Sequence, residues 1–209
     1  GLGHPMHRLL QGDVGSGKTV VAALAALRAA EHGTQTAIMA PTEILAEQHY
    51  RKFSEWLAPL QLPIVWLTGS QTTRERALAL DAIASGEARI AIGTHALFQQ
   101  GVEFSRMGLA IVDEQHRFGV AQRLALREKA GREAIEPHVL MMSATPIPRT
   151  LSMSYYADLD VSVIDELPPG RKPVLTKLVS SARRGEVLER IRAACAAGQQ
   201  AYWVCPLIE

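Results

Sequence analysis

The octapeptide GDVGSGKT, at residues 12–19, constrains the fold of this chain more than any other stretch. It matches the phosphate-binding pattern G-x-x-x-x-G-K-[ST] at every fixed position. Glycines let the backbone curl until successive N–H groups point at phosphate oxygens, and the N-terminus of the next helix adds partial positive charge. A short apolar strand is predicted before the loop and a long helix after it. The octapeptide therefore predicts a nucleotide-binding α/β domain rather than a chance glycine-rich turn with a solvated lysine.

Two side chains of this loop would contact the nucleotide most directly. Lys18 would reach the β- and γ-phosphates, and the hydroxyl of Thr19 would coordinate Mg²⁺. The predicted cofactors are therefore ATP and Mg²⁺. The complete predicted phosphate site consists of Gly12, Asp13, Val14, Gly15, Ser16, Gly17, Lys18 and Thr19.

Short apolar runs alternate with longer helical patterns along most of the chain, which is typical of a parallel sheet covered on both faces. The runs lack strict alternation, as expected for strands buried on both sides. We therefore predict a three-layer α/β/α fold with a mostly parallel sheet. The predicted strands are 6–11, 34–41, 62–69, 88–94, 109–114 and 138–145, and the predicted helices are 18–32, 42–57 and 72–86.

The segment DELPPGRKP, at 165–173, is dense in proline and glycine and is interpreted as a linker. After it we predict a strand over 174–180, a helix over 182–198 and a strand over 199–208. These elements suggest a domain spanning 1–168, followed over 169–209 by a linker and the truncated start of a second α/β domain.

Composition sets the outer limits of function. The chain has 47% hydrophobic and 21% charged residues, enough apolar material for a sizeable core. The formal net charge is only +1, so bulk electrostatics neither favours nor excludes nucleic acid. The two cysteines lack metal-ligand spacing, which favours a reduced, cytoplasmic setting. No apolar run is long enough to cross a membrane, and no signal-peptide pattern opens the sequence.

Two adjacent carboxylates follow the apolar run LAIV at 109–112. A phosphate-binding loop needs an acidic group at the end of a neighbouring strand to hold magnesium. Asp113 would hold Mg²⁺, and Glu114 would orient and polarise the attacking water. The cation would offset the repulsion between the two carboxylates, whereas the alternative is a solvated turn. Spacing alone assigns no role to His116.

In chain order, the segments GDVGSGKT, APTEILAEQH, GTHALFQ, DEQHRFG and MSATPIPRT resemble the motifs of the first motor domain of superfamily 2 helicases. The segments at 112–123 and 146–171 are similar, more narrowly, to RecG-type bacterial DNA helicases. The resemblance runs from Met6 to the end and implies a RecA-like domain. Mfd-like transcription-repair translocases share GTH and TPIPRT but carry DEEH where this sequence has DEQH.

The resemblance also implies roles for residues outside the phosphate loop. Motif II comprises Asp113, Glu114, Gln115 and His116, with His116 as a relay toward the next motif. The motif that couples the ATP site to DNA movement corresponds to Ser143, Ala144 and Thr145. The residues that the resemblance implies contact DNA phosphates are Pro41, Thr42, Thr68, Gly69, Thr94 and His95. Hydroxyls and backbone amides at strand ends suit contacts that ignore base sequence.

The expected function is ATP-driven movement on branched DNA, such as replication forks and Holliday junctions, by a monomeric, nucleoid-associated bacterial protein. The family also implies an upstream wedge domain and a complete second motor domain, whose arginines reach the γ-phosphate. Without such arginines, which are worth about a thousandfold or more, hydrolysis by these 209 residues alone should be weak. The alternatives are an Mfd-like translocase and a P-loop nucleotide-binding module without motor activity.

Overall fold

The computed structural model describes residues 4–99, 101–113, 136–145, 159–166, 170 and 174–204. The chain divides into two compact units, Gly1–Pro169 and Gly170–Glu209. Among the described residues, the first unit contains the sheet and three α-helices, and the second contains one α-helix. That 169–209 opens a second RecA-like domain stays a prediction.

The first unit is built on a seven-stranded sheet with the order β3-β4-β2-β5-β6-β1-β7, in which every pair of neighbours is parallel. Its strands are β1 (His7–Gly12), β2 (Gln35–Met39), β3 (Ile64–Leu67), β4 (Ile90–Gly93), β5 (Met107–Val112), β6 (His138–Ser143) and β7 (Asp160–Ile164). The helices are α1 (Lys18–Glu31), α2 (Glu43–Leu57), α3 (Thr73–Ser85) and, in the second unit, α4 (Arg184–Ala196).

Alternate residues of the strands face two separate apolar cores. Leu10, Ile38 and Ile111 pack with residues of α1 and α2 on one side of the sheet. Leu9 and Val112 pack on the other side with residues of α3. Helices therefore cover both faces, and the predicted α/β fold with a parallel sheet is confirmed.

The helix ends follow from local chemistry. Thr42 and Thr72 cap α2 and α3, each through a hydroxyl that accepts a backbone N–H of the first turn. Gly86 ends α3 at φ 79°, a left-handed conformation that only glycine adopts without strain. Short 3₁₀ turns cover Ala58–Leu60, His95–Phe98 and Ser181–Arg183.

The strand β7 was not predicted. It is short, and its exposed Asp160 and half-buried Ser162 interrupt the apolar pattern. It pairs with β1, where the Arg8 guanidinium donates to Ser162 Oγ at 2.7 Å and to Asp160 Oδ2 at 3.0 Å. A cross-strand partner about 150 residues away therefore forms this strand, which local sequence does not reveal.

Two predicted strands of the second unit are wrong where the structure describes them. Residues 174–180 and 199–204 form no strand, and only the helix between them is present, as α4. A strand needs a neighbouring ladder to pair its N–H and C=O groups, and none forms among the described residues of this unit. Most of the predicted linker at 165–173 lies outside the described residues.

Candidate nucleotide-binding site

The loop at 12–19 connects the end of β1 to the start of α1, as the sequence pattern requires. Gly15 and Gly17 adopt left-handed backbone angles, with φ of 82° and 96°. Ser16 donates its N–H to the Asp13 carbonyl at 3.1 Å, and Val14 donates its N–H to the Asp13 carboxylate at 2.7 Å. These bonds close the loop into a turn. The turn ends at the start of α1, where the first N–H groups of a helix lack intrahelical partners.

Lys18 folds back over this turn. Its Nζ donates to the carbonyl oxygens of Gly12 at 2.6 Å and Asp13 at 2.9 Å. The ammonium group is thus held at the mouth of the loop, where phosphate oxygens would offer it stronger, charged acceptors.

Three features of the loop fit a bound triphosphate. Ser16 Oγ is buried and has no hydrogen-bond partner among the described residues. A Cβ added to Gly17 would meet nothing within 4 Å, so this side of the loop faces open space. The first turn of α1 carries no acidic side chain that would repel an anion.

The loop lines a cleft of about 330 Å³ together with α2 and the ends of β5 and β6. Of the predicted site residues that the structure describes, seven line this cleft: Val14, Gly15, Gly17, Lys18, Thr19, Asp113 and Ala144. Residues distant in sequence therefore meet at one place, the carboxyl edge of the sheet, where parallel α/β folds bind ligands.

Asp113 is the first residue after β5, and its N–H donates to the Met39 carbonyl at 2.9 Å. Its carboxylate and the Thr19 hydroxyl line the same cleft, and both are oxygen ligands of the kind that Mg²⁺ prefers. Clusters of three or more His, Cys, Asp or Glu side chains suited to a metal do not occur in the described parts of the chain. A magnesium ion that relies on one carboxylate, one hydroxyl and substrate phosphates needs no such cluster. Glu114, Gln115 and His116 lie outside the described residues.

His49 of α2 is a site residue that the sequence did not reveal. Its Nε2 lies 2.7 Å from Asp113 Oδ2, and it lines the same cleft. The available signal was a polar ring on the otherwise apolar face of α2, beside Ala46 and Phe53. That pattern is more typical of a hydrogen-bonded core residue than of a site, so sequence alone does not distinguish the two.

The predicted coupling residues form a hydroxyl-linked turn at the end of β6. Ser143 is buried, and its Oγ lies 2.9 Å from Thr145 Oγ1 and accepts the Thr145 N–H at 3.2 Å. Ala144, between them, lines the cleft. This turn therefore borders the nucleotide site.

The predicted DNA contacts follow β2, β3 and β4, which are neighbours in the sheet. They consequently lie on the same carboxyl edge as the cleft. Thr68 and Thr94 are buried, whereas Thr42 and His95 are exposed. Pro41 is half-buried, and Gly69 is exposed.

Glu43 joins two of these loops. Its carboxylate accepts the Gly69 N–H at 3.1 Å and the Ser70 hydroxyl at 2.9 Å. Trp66 donates its indole N–H to Thr68 Oγ1 at 2.8 Å. The two hydrogen bonds of Glu43 therefore hold the start of α2 against the loop after β3.

Within the described residues, no helix combines the length and the apolar character needed to span a membrane.

Comparison with known proteins agrees with this geometry. A family model described as DEAD/DEAH box helicase matches residues 4–154. The chain is 59% identical over 206 residues to the ATP-dependent DNA helicase RecG of Escherichia coli K12, covering 98% of this chain and 30% of the relative. It is 52% identical over 205 residues to RecG of Aquifex aeolicus, covering 98% of this chain and 26% of that protein. The chain thus spans about 30% of the length of the first curated relatives.

Solved structures give the same result. The structure of RecG bound to a three-way DNA junction superposes with a TM-score of 0.79 at 48% identity, covering 98% of this chain and 27% of that chain. The helicase domain of Pyrococcus furiosus Hef has a TM-score of 0.55 at 22% identity, covering 90% of this chain and 42% of that one, and supports the fold alone. The resemblance to RecG-type helicases is confirmed. The family model covers most of the chain, and the chain's phosphate loop and strand-end carboxylate share one cleft. This protein therefore belongs to the DEAD/DEAH box helicase family.

Proposed function

We propose that this chain is the ATP-hydrolysing motor domain of a RecG-type DNA helicase that moves on branched DNA. The observation that carries the proposal is the convergence of Lys18, Thr19 and Asp113 on one cleft. The relatives reported above are named RecG, which gives no support to the Mfd-like alternative.

At the nucleotide, Lys18 would hold the β- and γ-phosphates, and the loop amides would surround them. Thr19 and Asp113 would hold Mg²⁺, which when bound supplies positive charge against the charge that develops on the phosphates. Glu114 would orient the attacking water. The roles of Lys18, Thr19 and Asp113 require no movement of the sheet, because all three residues already line one cleft.

At the DNA, the loops after β2, β3 and β4 would contact phosphates without reading bases. Their hydroxyls and amides are neutral donors, which suit a motor that must step along any sequence. The similar RecG was solved on a three-way DNA junction, which supports branched DNA as the substrate. We further propose a nucleoid-associated bacterial monomer that works with a wedge domain and a second motor domain.

The test is ATP hydrolysis by the full-length protein with forked DNA, with single-stranded DNA and without DNA. We expect forked DNA to stimulate hydrolysis most, because movement on branched DNA is coupled to turnover. Equal rates with and without DNA would contradict the motor and favour a nucleotide-binding module.

The Glu114→Gln variant tests the chemistry separately. It should abolish turnover while sparing nucleotide binding, because Gln cannot polarise the water but leaves the phosphate loop intact. Glu103→Gln is the matched control, since Glu103 is an exposed carboxylate outside the cleft. Normal hydrolysis by Glu114→Gln would show that the base is another residue.

A further inference from the structure

The contact between His49 and Asp113 joins two elements that are 64 residues apart in sequence. The two side chains are almost buried, with exposed fractions of 9% for His49 and 16% for Asp113. A carboxylate oxygen accepts, so the His49 Nε2–H donates to Asp113 Oδ2 over 2.7 Å. A short hydrogen bond to a carboxylate that is largely shielded from solvent is among the stronger hydrogen bonds in proteins.

The rest of the imidazole ring is held by apolar packing. It meets the Phe53 ring edge-to-face, with the ring centroids 6.4 Å apart. Ala46 and Phe53 are buried on the same face of α2. The ring is therefore fixed by the core, while its polar edge is directed at the carboxylate.

We propose that His49 is a positioning residue for the magnesium site, an inference that rests on the proposed function. The bond at Oδ2 fixes the plane of the Asp113 carboxyl group and hence the direction in which its oxygens present lone pairs to the cleft. Partners that orient a metal ligand in this way contribute about 10- to 100-fold to metal affinity or activity.

The experiment compares His49→Gln with His49→Leu. Gln keeps an N–H donor at about the reach of Nε2, whereas Leu keeps apolar bulk and donates nothing. The probe is Mn²⁺, whose binding to the ADP complex is measured by electron paramagnetic resonance. Metal-free ADP binding is titrated in parallel, because it depends on Lys18 and the loop rather than on Asp113.

His49→Leu should raise the dissociation constant of Mn²⁺ about 10- to 100-fold, while metal-free ADP affinity stays unchanged. His49→Gln should restore most of the Mn²⁺ affinity. His32→Leu is the control, because His32 lies exposed after α1 and its side chain bonds only the Arg28 carbonyl among the contacts described. It should bind Mn²⁺ as the wild type does.

Wild-type Mn²⁺ affinity in His49→Leu would overturn the proposal, and so would equal losses in the Gln and Leu variants, which would indicate packing alone. If the Leu variant does not fold, His49→Met replaces it as the apolar variant that is compared with His49→Gln. A wild-type protein that binds neither ADP nor Mn²⁺ would overturn the proposed function as well, whereas an unaffected Leu variant overturns only the role of His49.

Discussion

At the scale of single residues, the glycines of this fold serve different purposes. Gly15 and Gly17 supply left-handed turns in the phosphate loop. Gly93, before Thr94, instead permits a close approach between neighbouring strands. An added Cβ at Gly93 would lie 2.0 Å from the Leu67 carbonyl oxygen on β3, which is far inside van der Waals contact.

Gly93→Ala should therefore destabilise the protein strongly. Because the obstacle is backbone rather than a flexible side chain, we expect a loss of about 3 kcal/mol in the free energy of unfolding, measured by urea denaturation. Gly69→Ala is the matched control, since its Cβ would meet Glu43 Oε1 at 3.5 Å, an ordinary contact. Equal losses in the two variants would show that strand crowding does not explain the glycine at 93.

At the scale of elements, α3 begins with a reciprocal cap. Thr72 Oγ1 accepts the Glu75 N–H at 3.3 Å, and the Glu75 carboxylate accepts the Thr72 N–H at 3.0 Å and hydroxyl at 2.7 Å. The hydrogen bond from the Thr72 hydroxyl lowers the pKa of Glu75, and the hydrogen bond from the Thr72 backbone N–H lowers it further by a smaller amount. The cap thus contains a carboxylate that is stabilised in its charged form.

Thr72→Ala should lower the free energy of unfolding by about 1 kcal/mol at neutral pH. Because the folded-state pKa of Glu75 is lowered, its stabilisation is complete above the unfolded-state pKa and is lost as the pH falls through the folded-state pKa. The difference between wild type and Thr72→Ala in urea midpoint should therefore shrink on acidification. Thr73→Ala, one residue into the helix, is the control and should show a smaller loss that does not vary with pH. A constant difference between Thr72→Ala and wild type would contradict the linkage.

The helix α2 contacts two separate places at the carboxyl edge of the sheet, the loop after β3 and the residue after β5. Its first residue, Glu43, binds the loop after β3, and His49 binds Asp113. The helix therefore connects the loop after β3 to the nucleotide cleft.

At the scale of the whole molecule, sequence reasoning succeeded where the signal was local. The first six strands and three helices of the first unit form where the apolar pattern predicted them, because short continuous apolar runs differ in length from the longer helical patterns. The phosphate loop was equally accessible, since its residues are contiguous. Local patterns did not reveal β7, which depends on pairing with β1, or the bond from His49 to Asp113. For the same reason 174–180 was predicted as a strand, since apolar residues there satisfy the pattern without a partner ladder.

The division into two units gives a final prediction, made at this scale. The phosphate loop, His49 and Asp113 all lie within residues 1–169. Because the residues that line the cleft belong to the first unit, the chain shortened to 1–169 should bind ADP as tightly as all 209 residues. Fluorescence titration with labelled ADP measures this, and Lys18→Ala in the shortened chain should abolish binding and so establish that the loop is responsible. A loss of about tenfold or more on shortening, equivalent to about 1.4 kcal/mol, would mean that the second unit contributes to the nucleotide site.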